Sequence, residues 1–330
     1  MEWSGRRVLV TGAGGFIGSH LAEALARRGA RVRALVRYTS TGGAGWLESR
    51  SGVPPGSIEI FAGDVRDRSR MEAAVAGCDV IFHLAALISI PWSYEAPQSY
   101  LDTNVGGTLN LLEACRRADG VRFVQTSTSE VYGTPQQVPI TEAHPLQAQS
   151  PYAATKAGAD QLVLSYGASF GVRATVLRPF NTYGPRQSTR GVLPTILAQL
   201  LNGRPVVRLG SLWPRRDLTY VDDTVAGFVA AAEREEAVGR TVHLGTGRDV
   251  SIQELAETAM RVLGLHAELE SVAERTRPEA SEVRRLVSSP ELARTLLGWR
   301  PAVSLEDGIA RTAEWMRSRL GDFRPDEYAV

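Results

Sequence analysis

Short apolar runs alternate with longer amphipathic segments through the first half of the chain. The runs have the length and composition of buried strands, and the segments between them have apolar positions at helical spacing. We predict strands at Arg6–Val10, Ala30–Val36, Ile58–Phe61, Val80–Leu84 and residues 121–125. The longest predicted helices are Tyr100–Ala118 and Tyr152–Phe170. Alternation of strand and helix predicts an α/β fold with a Rossmann-type, doubly wound parallel sheet.

The pattern changes after Arg178, where turn-rich segments separate shorter elements. We predict a helix at Asp222–Arg234, a strand at Thr241–Leu244 and a helix capped by Ser251. A chain of 330 residues exceeds one small core, so we expect a dinucleotide-binding domain and a smaller α/β C-terminal substrate lobe. The expected division assigns residues 1–178 plus about 214–245 to the first, and about 179–213 plus 246–330 to the second.

A glycine-rich turn joins the first predicted strand to the first helix. Its sequence is T-G-A-G-G-F-I-G, with Gly12, Gly15 and Gly18 at regular spacing and Phe16 and Ile17 between them. Glycines allow a tight turn and close backbone approach, and a helix N-terminus favours an anion. The turn therefore predicts a site for the pyrophosphate of a dinucleotide.

Residues at the ends of the next strands complete the predicted cofactor site. Asp64 and Val65 are placed to contact the adenine. The small residues Ala85 and Ala86 let backbone approach the cofactor, and Leu84 before them is also assigned to the site. Val36 stands where NAD-binding versions have a carboxylate, and Arg37 follows it. The cofactor is expected to be NAD or NADP, and Arg37 favours the 2′-phosphate of NADP.

Two further segments carry candidate catalytic groups. Tyr152 and Lys156 are one helical turn apart, and the lysine charge is expected to lower the phenol pKa from about 10. Thr128, Ser129 and Glu130 follow the strand at 121–125 and would lie at its carboxyl end, where open α/β sheets bind ligands. A phenolate and a carboxylate at one site predict general acid–base chemistry on a hydroxylated substrate.

Charge and composition exclude several other classes of protein. The net charge is +1 without a long basic block, which argues against nucleic acid as the main partner. No stretch of 18 apolar residues or signal-peptide core is present, so we expect no membrane partner and a cytoplasmic location. Cys78 and Cys115 lack metal-ligand spacing and are predicted to be buried thiols, so no metal site is expected.

The assembled motifs resemble the extended short-chain dehydrogenase/reductases of the NAD-dependent epimerase/dehydratase family, which act on nucleotide sugars. The likeness covers nearly the whole chain and includes the glycine turn, G-D-V-R-D, H-L-A-A, the T-S-E triplet, Y-x-x-x-K, R-P-F-N-x-Y-G-P-R and R-R-D-L-T-Y-V-D-D. The stretches S-I-P-W-S-Y-E-A-P-Q-S-Y, H-P-L-Q-A-Q-S-P-Y and R-P-E-A-S-E-V-R-R-L look most like the UDP-N-acetylglucosamine 4,6-dehydratases of the legionaminic-acid type.

This resemblance implies a reaction and a set of site residues. Tyr152, Lys156 and Thr128 would serve oxidation at carbon 4, and Glu130 with Ser129 would serve loss of water across carbons 5 and 6. A tightly bound NAD or NADP is regenerated in each turnover. The residues implied for the nucleotide-sugar substrate are Ser89, Asn181, Arg186, Arg216 and Arg277. The family also implies a homodimer, in which the helices Tyr100–Ala118 and Tyr152–Phe170 form a four-helix bundle.

Two other reactions on the same scaffold stay open. Hexuronate decarboxylases carry a similar T-S-E triplet, and a 4-epimerase would use Tyr152 without needing a base for carbon 5. The dTDP-glucose dehydratases have Asp where this chain has Ser129, which favours a different hexose donor.

Overall fold

The computed structural model describes residues 1–49, 52–118, 120–276 and 278–324. The strands in these ranges are β1 Arg7–Thr11, β2 Arg31–Val36, β3 Ile58–Ala62, β4 Val80–His83, β5 Arg122–Thr126, β6 Arg173–Pro179, β7 Asn181–Tyr183, β8 Val206–Leu209, β9 Arg215–Tyr220, β10 Thr241–Leu244, β11 Asp249–Ser251, β12 Glu268–Ser271 and β13 Arg285–Leu286. The α-helices are α1 Phe16–Arg27, α2 Arg68–Val75, α3 Ile90–Glu95, α4 Pro97–Tyr100, α5 Gly107–Arg117, α6 Pro151–Phe170, α7 Val192–Leu201, α8 Val221–Glu233, α9 Ile252–Leu263 and α10 Leu305–Arg317.

A seven-stranded parallel sheet forms the centre of the molecule, in the order β10-β6-β5-β4-β1-β2-β3. The order reverses direction at β1, so crossover helices cover both faces. This confirms the predicted Rossmann-type α/β fold. The predicted strands match β1 to β5 and β10 to within two residues, while β6 had not been predicted.

Apolar side chains on alternate strand positions divide between two cores. Val10 and Phe82 point toward the face that α1 and α8 cover, whereas Leu9, Ile81 and Phe123 point toward α2, α5 and α6. Each of these five side chains is fully buried. Burial on both faces explains why the strands are continuous apolar runs rather than alternating ones.

Two smaller sheets lie outside the large sheet in the described structure. In one, β9 pairs with β11, β13 and β7, and in the other β12 pairs with β8. Helices α7, α9 and α10 contact one another beside these sheets. Ser251 caps α9 through a capping box with Glu254, as its sequence position predicted. The division into two domains stays a prediction, and β9 pairs in a small sheet although the expected boundary put it in the first domain.

The helix expected at Tyr100–Ala118 differs from a regular α-helix. It comprises α4, a π-helical segment at Leu101–Gly106 and α5. Asn104, inside the π-helical segment, bonds to the backbone of Leu87 and to the Thr155 hydroxyl. Among the described helices, none has the length and apolar character that crossing a membrane requires.

Candidate active site

A cleft of about 970 Å³ opens at the carboxyl ends of the strands of the large sheet. The glycine turn after β1 and the Thr126–Glu130 turn after β5 lie on its walls. The cleft also includes residues from β7 and from the loop that precedes α7. Parallel strands place all of these loops on one edge of the sheet, which is where ligands bind in open α/β folds.

The glycine turn is too crowded for side chains at two positions. A Cβ on Gly18 would lie 2.3 Å from the carbonyl oxygen of Gly12, and Gly12 itself has a φ of +68°. Gly15 begins α1, and no side chain caps this helix. The free helix N-terminus and the exposed backbone fit the pyrophosphate of a dinucleotide. Gly12, Gly15, Phe16, Ile17 and Gly18 all line the cleft.

A buried polar cluster fixes the next wall of the cleft. The Thr11 hydroxyl accepts hydrogen bonds from the backbone of Leu84 and Ala85 and contacts Nδ1 of His83 at 2.8 Å. Burial lowers the pKa of His83 to about 3, so this ring is neutral and acts as a packing group. Leu84, Ala85 and Ala86 line the cleft as predicted, whereas Thr11 was not singled out from the sequence.

The cleft also contains the residues predicted to contact the adenine, Asp64 and Val65, and the arginine predicted to favour a 2′-phosphate, Arg37. Arg66 donates to both carboxylate oxygens of Asp64, at 3.0 and 2.6 Å, and this bond holds the pKa of Asp64 below its usual range. Arg37 is exposed and also contributes to the lowering of the Asp64 pKa. Asp64 is the one carboxylate among these residues, and the guanidinium groups of Arg66 and Arg37 both act on it.

Tyr152 and Lys156 lie near the beginning of α6, where Ser150 caps the helix by accepting from the backbone of Ala153. Both side chains are buried, with 8% and 4% of their surface exposed. Burial lowers the pKa of Lys156 to about 8, so its charge is retained at neutral pH and lost at moderately basic pH. The two groups are therefore held one helical turn apart at the inner end of the cleft.

The expected lowering of the Tyr152 pKa by Lys156 is wrong for this structure. Burial raises the pKa of Tyr152, and the carboxylate of Glu130 raises it further. The neighbouring Thr128 hydroxyl acts in the opposite direction. Desolvation of the phenolate therefore outweighs the favourable interactions that sequence spacing suggested.

Thr128, Ser129 and Glu130 belong to one tight turn. Thr128 caps a 3₁₀ segment at Ser129–Tyr132, and its hydroxyl accepts from the backbone of Glu130 at 3.2 Å. Ser129 is buried and Glu130 is half-buried, and all three residues line the cleft. The structure thus brings a carboxylate, two hydroxyls, a phenol and an ammonium together in one cleft.

The residues expected to contact substrate divide into two groups. Ser89 and Asn181 line the cleft; Ser89 caps α3, and its carbonyl accepts from Tyr100 at 2.5 Å. The structure places Arg186 and Arg216 outside the residues that line the cleft, and each is engaged in an ion pair. Arg186 donates to both carboxylate oxygens of Glu23, at 2.9 and 3.1 Å, and buried Arg216 pairs with Glu282 at 3.0 Å. Arg277 lies outside the described residues.

Several cleft residues were missed or underrated from the sequence. Arg190 and Gln187 lie near the start of α7, and Ile88 and Trp92 are large apolar side chains exposed at the cleft. The charge of Arg190 is near enough to act on the phenol of Tyr100. The available signal in the sequence was that Ile88 and Trp92 are apolar and follow closely after Ala86, at the predicted ligand site.

The glycine turn, the Tyr152/Lys156 pair and the Thr128 hydroxyl on a doubly wound sheet define the short-chain dehydrogenase/reductase class. Within that class, the family model for GDP-mannose 4,6 dehydratase matches residues 9–312. The chain belongs to this family of nucleotide-sugar dehydratases and epimerases.

Individual relatives of both reaction types are similar to the chain over nearly its whole length. A dTDP-glucose 4,6-dehydratase of Streptomyces griseus is 35% identical over 323 residues, which are 96% of this chain and 96% of the relative. A UDP-glucose 4-epimerase of Mycolicibacterium smegmatis is 36% identical over 318 residues, or 95% of this chain and 99% of the relative. The crystal structure of a dTDP-glucose 4,6-dehydratase from Streptomyces venezuelae with NAD bound is 31% identical, with a TM-score of 0.86, and covers 97% of this chain and 99% of that one. These likenesses give no support to the NADP preference suggested by Arg37.

Proposed function

We propose that the protein is a nucleotide-sugar 4,6-dehydratase that makes a 4-keto-6-deoxy sugar. The observation that carries this proposal is the position of Glu130. Its carboxylate lies on the same tight turn as Thr128 and interacts electrostatically with Tyr152. A 4-epimerase needs a proton acceptor for the carbon-4 hydroxyl only, whereas a dehydratase needs a second base for carbon 5.

The residues of the chain divide the proton transfers between them. Tyr152 accepts the proton of the carbon-4 hydroxyl in its phenolate form, and the Lys156 ammonium lies one helical turn away from it. NAD held in the cleft would supply the hydride acceptor for carbon 4 and the hydride donor for carbon 6. The resulting ketone acidifies carbon 5, whose proton passes to Glu130. The carbon-6 hydroxyl leaves as water after receiving a proton from Glu130 or Ser129. When hydride is returned to carbon 6, carbon 5 takes up a proton, which balances the one that Tyr152 accepted, so the net change is loss of one water.

We propose NAD as the cofactor, held by the residues predicted from the sequence. Support comes from the glycine turn, which fits a pyrophosphate, and from the NAD-bound Streptomyces venezuelae relative. The groups that would hold it are Gly12, Gly15, Phe16, Ile17, Gly18, Arg37, Asp64, Val65, Leu84, Ala85, Ala86, Tyr152 and Lys156. Heat denaturation of purified protein should release NAD, identified by mass, and release of NADP would contradict this assignment.

For the substrate, we propose UDP-N-acetylglucosamine, because the stretches around Ser89–Tyr100 and Arg277–Leu286 resemble dehydratases of that type. Ser89 and Asn181 lie in the cleft to contact it. Arg190 replaces Arg186 and Arg216 as the arginine offered to an anionic group, because it is exposed in the cleft and those two are paired elsewhere. A bidentate guanidinium suits a pyrophosphate.

A 4-epimerase is the second candidate, because the Mycolicibacterium smegmatis epimerase is as similar to the chain as the dehydratases are. Epimerisation leaves the mass of the sugar unchanged, dehydration removes water, and decarboxylation of a hexuronate removes carbon dioxide. Incubation with a panel of nucleotide sugars, followed by mass spectrometry, therefore separates the three reactions.

The decisive arm of this experiment uses deuterated water. A dehydratase should place one deuterium at carbon 5 and retain all the sugar carbons. Glu130→Gln should still reduce the cofactor when substrate is added and then stall before water is lost. A product of unchanged mass, or release of carbon dioxide from a UDP-hexuronate alone, would overturn the dehydratase assignment.

A further inference from the structure

The two catalytic segments are joined behind the cleft by a buried polar bridge. Arg178, on β6, donates to Oδ2 of Asp160 through Nε at 3.1 Å and Nη2 at 3.0 Å. Its Nη1 donates to the Tyr132 hydroxyl at 2.6 Å. Asp160 is fully buried and Arg178 is 3% exposed, so solvent does not compete for these bonds. One side chain thus spans two separate elements.

Each end of the bridge reaches a catalytic group within a turn of backbone. Asp160 lies four residues after Lys156 on α6, on the same helical face. Tyr132 ends the 3₁₀ segment that carries Ser129 and Glu130. The bridge therefore connects the helix of the carbon-4 acid–base pair to the turn of the proposed carbon-5 base.

Other contacts hold the bridge in one arrangement. Oδ2 of Asp160 also accepts from the Ser127 hydroxyl at 2.6 Å, while its Oδ1 has no partner among the described residues. The Tyr132 hydroxyl, which accepts from Arg178, also shares a hydrogen bond with Nε2 of His243, 2.5 Å away. A buried ion pair with further hydrogen bonds on each partner has few alternative geometries, which makes it suited to fixing a distance.

We propose that Arg178 is a positioning residue that sets the spacing between Lys156 and Glu130, a role that rests on the proposed dehydration for its kinetic consequences. Through Asp160 it orients the beginning of α6, and through Tyr132 it orients the Ser129–Tyr132 turn. The bound sugar can then be oxidised at carbon 4 and lose its proton from carbon 5 without changing its position in the cleft. A displacement of about 1 Å at either group is enough to slow a step by about 10²-fold.

Three variants test the two arms of the bridge separately. Tyr132→Phe removes the acceptor on the Glu130 side and should let reduced nicotinamide accumulate during turnover, with kcat lowered about tenfold or more. Asp160→Asn weakens the Lys156 side and should slow formation of reduced nicotinamide. Arg178→Lys keeps a positive charge but cannot reach both partners, so it should impair both steps. Absorbance of the nicotinamide in single turnovers measures each step.

Hydrogen–deuterium exchange of the same proteins, read by mass spectrometry, tests the positioning without any turnover. Tyr132→Phe should raise exchange in the peptide covering residues 127–133, and Asp160→Asn in the peptide covering 150–160. Asp217→Asn is the matched control, since Asp217 is equally buried but bonds to Thr246, Gly247 and Ser288 rather than to any residue of the bridge. Asp217→Asn should lower Tm without changing deuterium exchange in either peptide or the relative rates of the two steps.

The outcomes distinguish this role from mere stability and from the proposed function. Equal effects of Asp217→Asn and Arg178→Lys on the two steps at similar Tm would overturn the positioning role. So would unchanged exchange in both peptides in Arg178→Lys and Tyr132→Phe. Wild-type protein that reduces its cofactor with none of the nucleotide sugars would refute the proposed function, and the exchange measurements would still decide on the bridge.

Discussion

At the scale of single residues, burial opposes the charges that the chemistry needs. The Tyr152 phenolate and the Lys156 ammonium are both penalised by desolvation, which raises the first pKa and lowers the second. Asp160 acts to raise the pKa of Lys156, so one turn of α6 keeps the ammonium charged at neutral pH. A residue pair that is costly to bury has a role beyond stability.

Replacing Tyr152 by Phe should abolish turnover while leaving the fold intact. The change removes the only oxygen that we assign to the carbon-4 proton, and general acid–base groups contribute about 10²–10⁴-fold to rate. Steady-state kinetics should show activity below a few per cent, with binding of cofactor and substrate nearly unchanged by calorimetry. Retention of more activity than this would refute the role of Tyr152.

The depressed pKa of Lys156 should be visible in the pH dependence of stability. Between the folded pKa of about 8 and the ordinary lysine pKa of 10.5, the unfolded chain holds this proton and the native protein does not. The contribution of Lys156 to the free energy of unfolding therefore rises as pH increases through that interval, and this gain is lost again as pH falls through about 8. Lys156→Met removes the titration, so its advantage in unfolding free energy over wild type should shrink from pH 7 to pH 10. Denaturant unfolding of both proteins measures it, and a constant gap would contradict the shift.

At the scale of elements, the glycine turn and α1 were predictable because their cause is local. The close contacts between Gly12 and Gly18 lie within one turn of chain, so the spacing of the glycines in the sequence predicts them. The π-helical segment at Leu101–Gly106 was not predictable. It contains Asn104, whose partners Leu87 and Thr155 are 17 and 51 residues away.

Gly18→Ala should damage the glycine turn. The new Cβ would lie 2.3 Å from the Gly12 carbonyl oxygen. The atoms in contact belong to the backbone of both segments, so relieving the overlap would require the backbone to shift. We expect a loss of about 1–3 kcal/mol in unfolding free energy and loss of bound nucleotide. Thermal unfolding and the absorbance of released nucleotide measure both effects.

Gly158→Ala is the matched control on α6. A Cβ there would lie 3.8 Å from Val105, an ordinary contact, so the helix should gain about 0.5–1 kcal/mol from the lower backbone entropy of the unfolded chain. Equal behaviour of the two variants would show that crowding at Gly18 is not the reason for the glycine.

At the scale of the whole molecule, the sequence located the cleft but not all of its charges. The strand ends and the candidate side chains at them, such as Tyr152 and Lys156, followed from periodicity and spacing, since both are properties of neighbouring residues. The ion pairs of Arg186 and Arg216 were not foreseen from the sequence, because their acidic partners, Glu23 and Glu282, are 163 and 66 residues away. Which guanidinium remains available to a ligand depends on tertiary pairing, and no local pattern records it.

The predicted homodimer stays a proposal with a direct test. The helices expected to form its four-helix bundle carry exposed apolar side chains, namely Leu101, Leu109 and Phe170 at 48%, 38% and 50% exposure. Sedimentation should give twice the chain mass of 35.7 kDa, and Leu109→Glu should shift the protein toward monomer because a charge would be buried. Trp213→Glu is the control, being 51% exposed on a loop outside these helices. A monomeric wild type would refute the bundle.

The two cysteines are free and both are buried in the core between the large sheet and α2, α5 and α6. Burial raises the pKa of the Cys78 thiol to about 11 and raises that of Cys115 as well. Both native thiols are therefore poor nucleophiles at neutral pH. A cysteine introduced at Ser188, exposed on the cleft wall, would be alkylated selectively in the otherwise unmodified protein. A fluorophore attached there would report nucleotide and sugar binding without a cysteine-free background having to be built first.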